Sequence, residues 1–213
     1  MKLYRGFAAV SAVVGSVALS TGAIRAGEWD GGYVGASLGY GSVNDVTTSP
    51  IATGSFTVTG KGVLGGIQGG YNWQNGSIVA GLEADILASG VKGTLSNCAG
   101  VANATCGEKL SSLGSFRGRL GFAAAPSAMI YFTGGLGFGS GQWTVSSPTT
   151  AYSYSKTETA FVFGAGAEFL VAKNWSVKGE YLRYNFGQVS DSFASLNYKD
   201  SLDTFKVGVN YKF

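Results

Sequence analysis

Ser201–Phe213 reads SLDTFKVGVNYKF. From Phe205 onward the alternation is strict. Phe205, Val207, Val209, Tyr211 and Phe213 fall on one face, and Thr204, Lys206, Gly208, Asn210 and Lys212 on the other. A period of two is the mark of a β-strand, whose successive side chains point to opposite faces. A row of large apolar side chains ending on an aromatic would fray in water. It suits a face turned to lipid, with its aromatics at the membrane interface. The competing reading is an edge strand of a soluble sheet, and the rest of the chain decides between the two.

The other end carries an export pattern. Lys2 and Arg5 precede the uncharged run Phe7–Leu19, and small residues follow as far as Ala26. A basic start, a short apolar core and a small-residue exit describe a cleaved secretory signal peptide over residues 1–26. The core is too short to cross a bilayer as a helix, which takes about 20 residues. This leader holds Lys2, Arg5 and Arg25 and no acid, so 15 basic residues less 3 leaves 12 against 12 acidic ones. A mature chain without net charge offers no electrostatic footprint for nucleic acid. Residues 27–213 suit a single domain.

The pattern of the last strand recurs upstream in seven segments. Gly32–Gly41 sends Val34, Ala36, Leu38 and Tyr40 outward. Gly62–Gln74 sends Val63, Ile67, Tyr71 and Trp73 out, and Gln68 and Asn72 in. Ile78–Ala88 points Ile78, Leu82 and Ile86 out, and Glu83 and Asp85 in. Leu113–Ala124 has Phe116, Leu120 and Phe122 out against Arg117 and Arg119. Met129–Trp143 sends Ile130, Phe132, Leu136 and Phe138 outward, and Thr159–Val171 sends Phe161, Phe163, Ala165, Ala167 and Phe169 outward with Glu168 inward. Trp175–Gly187 places Lys178 and Glu180 inside, and Arg183 breaks its apolar phase, which a bulge or the headgroup level would explain.

Three short connections, Gln74–Ser77, Ala125–Ser127 and Ala172–Asn174, alternate with four long polar stretches, Ser42–Lys61, Ser89–Ser112, Thr144–Glu158 and Gln188–Asp200. Asn75-Gly76 is the strongest local hairpin signal. Short turns at one end and long loops at the other belong to an outer-membrane barrel. A soluble lipocalin-type barrel would put its apolar face inside; here the inward face carries the charges. The expected fold is therefore all-β: an eight-stranded antiparallel up-and-down transmembrane β-barrel.

WDGGYVGASLGYG after the leader, the internal GGIQGGYNWQNGSIVAGLEADI and the ending VGVNYKF resemble the porin-family outer-membrane β-barrel proteins often labelled immunogenic surface antigens. The likeness to OmpA-type and opacity-type eight-stranded barrels is more distant. The resemblance implies a Gram-negative outer-membrane location and leaves any activity open. It also implies that Tyr211 and Phe213 act as the C-terminal signal read by the outer-membrane assembly machinery.

The absence of histidine excludes a Ser-His-Asp triad, an HExxH zinc site and imidazole bases. Gly60–Gly65 formally fits GxGxxG but runs into a strand instead of opening a helix. Cys98 and Cys106 share the second long loop, and an even pair in an exported protein reads as a disulfide. The inward charges form the best constellation: Glu83, Asp85, Glu168 and Glu180 against Arg117, Arg119, Lys178 and Lys206, with Lys212 beyond. Counting from the short turns sets Glu83 level with Arg119, Asp85 with Arg117, and Glu168 with Lys178. A salt-bridged plug and a gated ion path are the two readings, and the narrow bore of eight strands favours the plug.

The functional expectation is a non-enzymatic, monomeric, surface-exposed structural protein without cofactors. Its partners would be outer-membrane lipid and lipopolysaccharide, the assembly machinery, and host or surface ligands met through four long loops. A narrow porin-like channel is the alternative.

Overall fold

A computed structural model of the protein describes residues 27–49, 54–96, 104–149, 151–191 and 196–213. Leader and cleavage site lie outside these residues. Nine strands follow in order: β1 (Gly31–Ser49), β2 (Gly54–Asn75), β3 (Ile78–Ser89), β4 (Lys92–Ser96), β5 (Thr105–Ala125), β6 (Ala128–Ser146), β7 (Ala151–Ala172), β8 (Trp175–Asp191) and β9 (Leu196–Lys212). Except for β3 and β4, which both pair with β2 and β5, each pairs antiparallel with its chain neighbours, and β9 returns to β1, with Tyr33 opposite Lys212 and Tyr40 opposite Phe205. The ring closes, so no backbone edge faces lipid.

The ring has eight staves, as the sequence indicates, because β3 and β4 form one interrupted stave. Both lie between β2 and β5. The break at Gly90–Val91 is bridged by hydrogen bonds from the Gly90 amide to the Val63 carbonyl (2.9 Å) and from the Leu110 amide to the Val91 carbonyl (3.0 Å). Val91 turns inward there and is buried.

The three short connections shrink to Gly76–Ser77, Pro126–Ser127 and Lys173–Asn174. Gly76 has φ +60°, a left-handed conformation that a two-residue hairpin favours and a Cβ resists. The other end differs from the sequence reading. Where four long loops are expected, the ladders continue, to Ser49 opposite Gly54, Ser146 opposite Ala151, and Asp191 opposite Leu196. Apolar alternation stops where lipid stops, whereas main-chain pairing requires no apolar face. Residues 151–157 are exposed on both faces, as a ribbon standing in water would be.

The outward face is an apolar belt in which Phe132, Leu38 and Phe161 expose 76%, 75% and 71% of their surface. Tyr71 and Trp73 (ring centroids 5.0 Å apart), Trp175 and Tyr211 (5.1 Å), and Tyr211 and Phe213 (5.7 Å) form an aromatic girdle at the short-turn end. Arg183 keeps the outward phase. Leu182 and Tyr184 on either side of it are fully buried, and the bulge lies further on, between Asn185 and Gln188. It sits opposite Asp203 at 3.4 Å, and Tyr181 donates to the same carboxylate at 2.6 Å. That polar trio marks the headgroup level on its side.

Candidate functional site

The inward face is packed in three storeys. Nearest the short turns, Trp29, Val79, Ala123, Met129 and Tyr131 form an apolar floor. Nearest the long ribbons, Leu64, Leu87, Leu113, Val162, Leu182, Leu202 and Tyr184 form a second apolar layer. Glu83, Asp85, Arg117, Arg119, Glu168, Lys178, Glu180 and Lys206 lie between them, all buried. Period-two alternation on five staves delivers them to one level, where four acids face four bases. Isolated ions there would be prohibitively costly, so every charge must be matched.

Arg117 is the hub. Its guanidinium reaches Glu83 at 2.6 Å, Asp85 at 3.0 Å and Glu180 at 3.0 Å, while its Nε donates to the Ser115 hydroxyl at 2.9 Å. Lys178 bonds both Glu83 oxygens (2.8 and 2.7 Å). Lys206 reaches Asp85 at 2.7 Å and Glu180 at 3.3 Å. Arg119 reaches Glu168 at 2.7 Å and Glu83 at 3.6 Å. The height-matched pairs Asp85–Arg117 and Glu83–Arg119 are thus in contact, yet the directly opposed residues are Glu83 and Arg117. Glu168 does face Lys178 across the β7–β8 ladder, but its bonded partners are Arg119, Ser176 (2.5 Å) and Asn210 (2.8 Å).

Two tyrosines complete the layer. Tyr33 donates to Glu83 at 2.7 Å and Tyr131 to Glu180 at 3.0 Å, and Arg119 stacks over the Tyr131 ring at 4.3 Å. The hydroxyl end of each ring packs against a glycine, Tyr33 on Gly70 and Tyr131 on Gly166, where a Cβ would stand 2.6 Å from the ring. Sequence reasoning missed Tyr33, Ser115, Ser176 and the inward leucines. All share the inward phase of the charges, so continuing the alternation past them would have found each one. Gln68, read as inward, donates to Asn210 at 2.7 Å.

Lys212 behaves differently from the expectation of an acidic partner. Its ammonium bonds the Glu28 carbonyl and lies 5.3 Å from the Trp29 ring centroid. Tyr211 and Phe213 point outward in the girdle. Cys106 is the second residue of β5, whereas Cys98 lies outside the described residues, and the expected bridge with it.

Carboxylate oxygens of Glu83, Asp85 and Glu180 come within 4.8 Å of one another, close enough to hold a cation. Arg117, Lys178 and Lys206 already occupy that space, so a metal would have to displace three protein cations. The arrangement is a charge-balanced ionic layer between two apolar layers, in which Arg119 Nε and Glu180 Oε1 make no hydrogen bond.

A model of the outer membrane protein beta-barrel domain matches residues 9–213. The 31 kDa outer-membrane immunogenic protein of Brucella melitensis biotype 1 is 36% identical over 203 residues, spanning 87% of this chain and 84% of its own. The 22 kDa outer membrane protein of Rhizobium leguminosarum bv. viciae is 35% identical over 191 residues, spanning 88% and 80%. In fold the chain is similar to the crystal structure of the outer membrane protein OprG from Pseudomonas aeruginosa. The TM-score is 0.51 at 11% identity, over 86% of this chain and 97% of that one.

Proposed function

We propose a role from the premise that the chain belongs to the outer membrane protein β-barrel domain family, whose members here are outer-membrane proteins of Gram-negative bacteria: it is a closed, non-conducting and non-enzymatic barrel that holds surface ribbons in the envelope. One observation carries this reading. The lumen is filled, and Arg117, Lys178, Glu180 and Lys206 at its centre each expose 1% of their surface or less. An ion crossing it would have to break paired charges and then pass two apolar layers, each step costing several kcal/mol. The same pairing leaves no carboxylate ready for acid–base chemistry. The barrel acts as a monomer, inserted by the assembly machinery through the strand ending in Tyr211 and Phe213. Its ribbons meet host or surface ligands, and a Cys98–Cys106 bridge staples one of them.

A narrow pore is the second reading. It is favoured by the buried Ser37 hydroxyl and the side-chain oxygens of Gln68 and Asn72, which lack protein partners and mark a polar seam along β1 and β2. Planar-bilayer recording of the purified chain separates the two. A closed barrel leaves the baseline flat at 100 mV in 1 M KCl, and discrete, reproducible steps would establish the pore.

A further inference from the structure

Among the described residues the outward face carries an unbalanced charge cluster. Lys61 on β2 lies directly opposite Lys92 on β4, and Lys92 directly opposite Lys109 on β5. Three ammonium groups therefore stand in a row across neighbouring staves, all exposed. Directly opposed side chains have Cβ atoms about 4.5–5.5 Å apart, and like charges so placed destabilise a sheet. Among the described residues no carboxylate lies within ion-pair distance of any of the three. Arg183, on another part of the wall, does have a carboxylate, Asp203 at 3.4 Å.

The height of the row identifies its missing counter-ion. Lys61 is two residues beyond Val63, an outward belt residue, which at about 3.3 Å per residue sets it roughly 7 Å above the apolar edge. At the Lys109 end of the row a groove of about 450 Å³ is lined by Lys109, Ser111, Ser140, Gln142, Ser155 and Lys156, the last paired with Glu158 at 2.6 Å. Lysines that reach out from a lipid-facing wall just above the hydrocarbon, next to a hydroxyl- and amide-lined groove, match a phosphorylated sugar headgroup. The row lies at the ribbon end, opposite the short turns, which is the outer leaflet in such barrels.

We propose that Lys61, Lys92 and Lys109 form a binding site for the phosphate groups of outer-leaflet glycolipid, with the adjoining groove taking the sugar. The site is independent of whether the lumen conducts, so bilayer recordings leave it untouched.

The test uses the full chain folded in zwitterionic nanodiscs and three probes: bisphosphorylated lipid A, its dephosphorylated form and inorganic phosphate. Retained lipid is counted by native mass spectrometry. Wild type should hold the bisphosphorylated lipid, release it in 0.5 M salt, and hold the dephosphorylated form far more weakly. K61Q/K92Q/K109Q should bind about a hundredfold more weakly, roughly fivefold for each lysine beside an anionic surface. K61R/K92R/K109R should keep binding, as should K173Q at the opposite end. Heat-modifiable gel mobility reports whether each variant is folded, and the arginine and salt arms stand even if the glutamine triple fails to fold. Equal binding by folded wild type and triple glutamine variant overturns the proposal, as does indifference to the lipid phosphates. Displacement of lipid A by 10 mM inorganic phosphate would make this a free-anion site and overturn the lipid assignment.

Discussion

Replacing Arg117 with methionine tests the ionic layer at its hub. Methionine approximates the length of the arginine stem, so the wall keeps most of its packing while the guanidinium is lost. Glu83, Asp85 and Glu180 then lose contacts of 2.6, 3.0 and 3.0 Å, and the layer falls from four bases against four acids to three against four. Lys178 still holds Glu83 and Lys206 still holds Asp85, both at 2.7 Å, so Glu180 is the acid left worst served. Breaking a buried pair from one side costs about 3–5 kcal/mol, because the remaining charge stays in a medium that cannot solvate it. R117M should therefore shift the urea unfolding equilibrium in lipid vesicles by about that amount. R117M/E180Q, which restores neutrality, should recover about 2 kcal/mol of the loss. The assay follows tryptophan fluorescence and gel mobility of the folded form. An R117M variant within about 0.5 kcal/mol of wild type, or a double variant as unstable as the two single losses added together, would refute a tightly coupled dry layer.

Three further substitutions probe the wall. Phe132→Arg puts a charge on the most exposed part of the belt and should cost about 2–4 kcal/mol in the same vesicle titration if that position lies near the bilayer midplane; a neutral result would move the belt. Gly166→Val drives a side chain into the Tyr131 ring (2.6 Å) and the Gly179 carbonyl (2.7 Å), so refolding should yield no heat-modifiable species; normal yield would show that the tyrosine can move aside. Asp203→Asn removes the negative charge facing Arg183 and leaves one acceptor oxygen for Tyr181 at an exposed site, so its cost should stay below about 1 kcal/mol in urea titration. A larger loss would mean that the trio is shielded from water.

The strands were legible because lipid imposes a stricter alternation than water does. On each stave the outward residues are large and apolar, so the inward phase could be read by subtraction, and Glu83, Arg117, Lys178 and Lys206 were found that way. Their partners were not. Counting from a turn gives neighbours along the wall, and by that count Glu168 belongs with Lys178, which indeed lies opposite it. Inside a narrow barrel, however, long side chains cross the lumen, and Glu168 is closer to Arg119 on β5 than a wall map suggests. The upper apolar layer was hidden by the same emphasis, since Leu87, Leu182 and Leu202 share the phase of the charges and extend it upward. The ribbon ends were illegible for a different reason. Once both faces meet water, alternation vanishes while main-chain pairing continues, so the pattern that reveals a strand in lipid is silent in Ala151–Thr157.

The central charges also bear on how the barrel selects its register. A belt of leucines and phenylalanines tolerates many small errors of packing, but a one-residue slip of β8 would turn Lys178 and Glu180 to lipid and carry Val177 and Tyr181 into the lumen. The exposed lysine alone would cost about 2–4 kcal/mol near the midplane. The partners left behind, Glu83 by Lys178 and Arg117 by Glu180, would add the several kcal/mol of broken buried pairs. Slips of β3, β5 or β9 carry the same double cost, since Asp85, Arg117 and Lys206 each bond residues on at least two other staves. Lys206 on β9 thus meets both its acids only when β3 and β8 are in register. An all-apolar lumen of equal volume would match the folded state in stability without that discrimination. In this barrel the ionic layer is best understood as a lock on register, and its charge balance is what the proposed closed lumen requires.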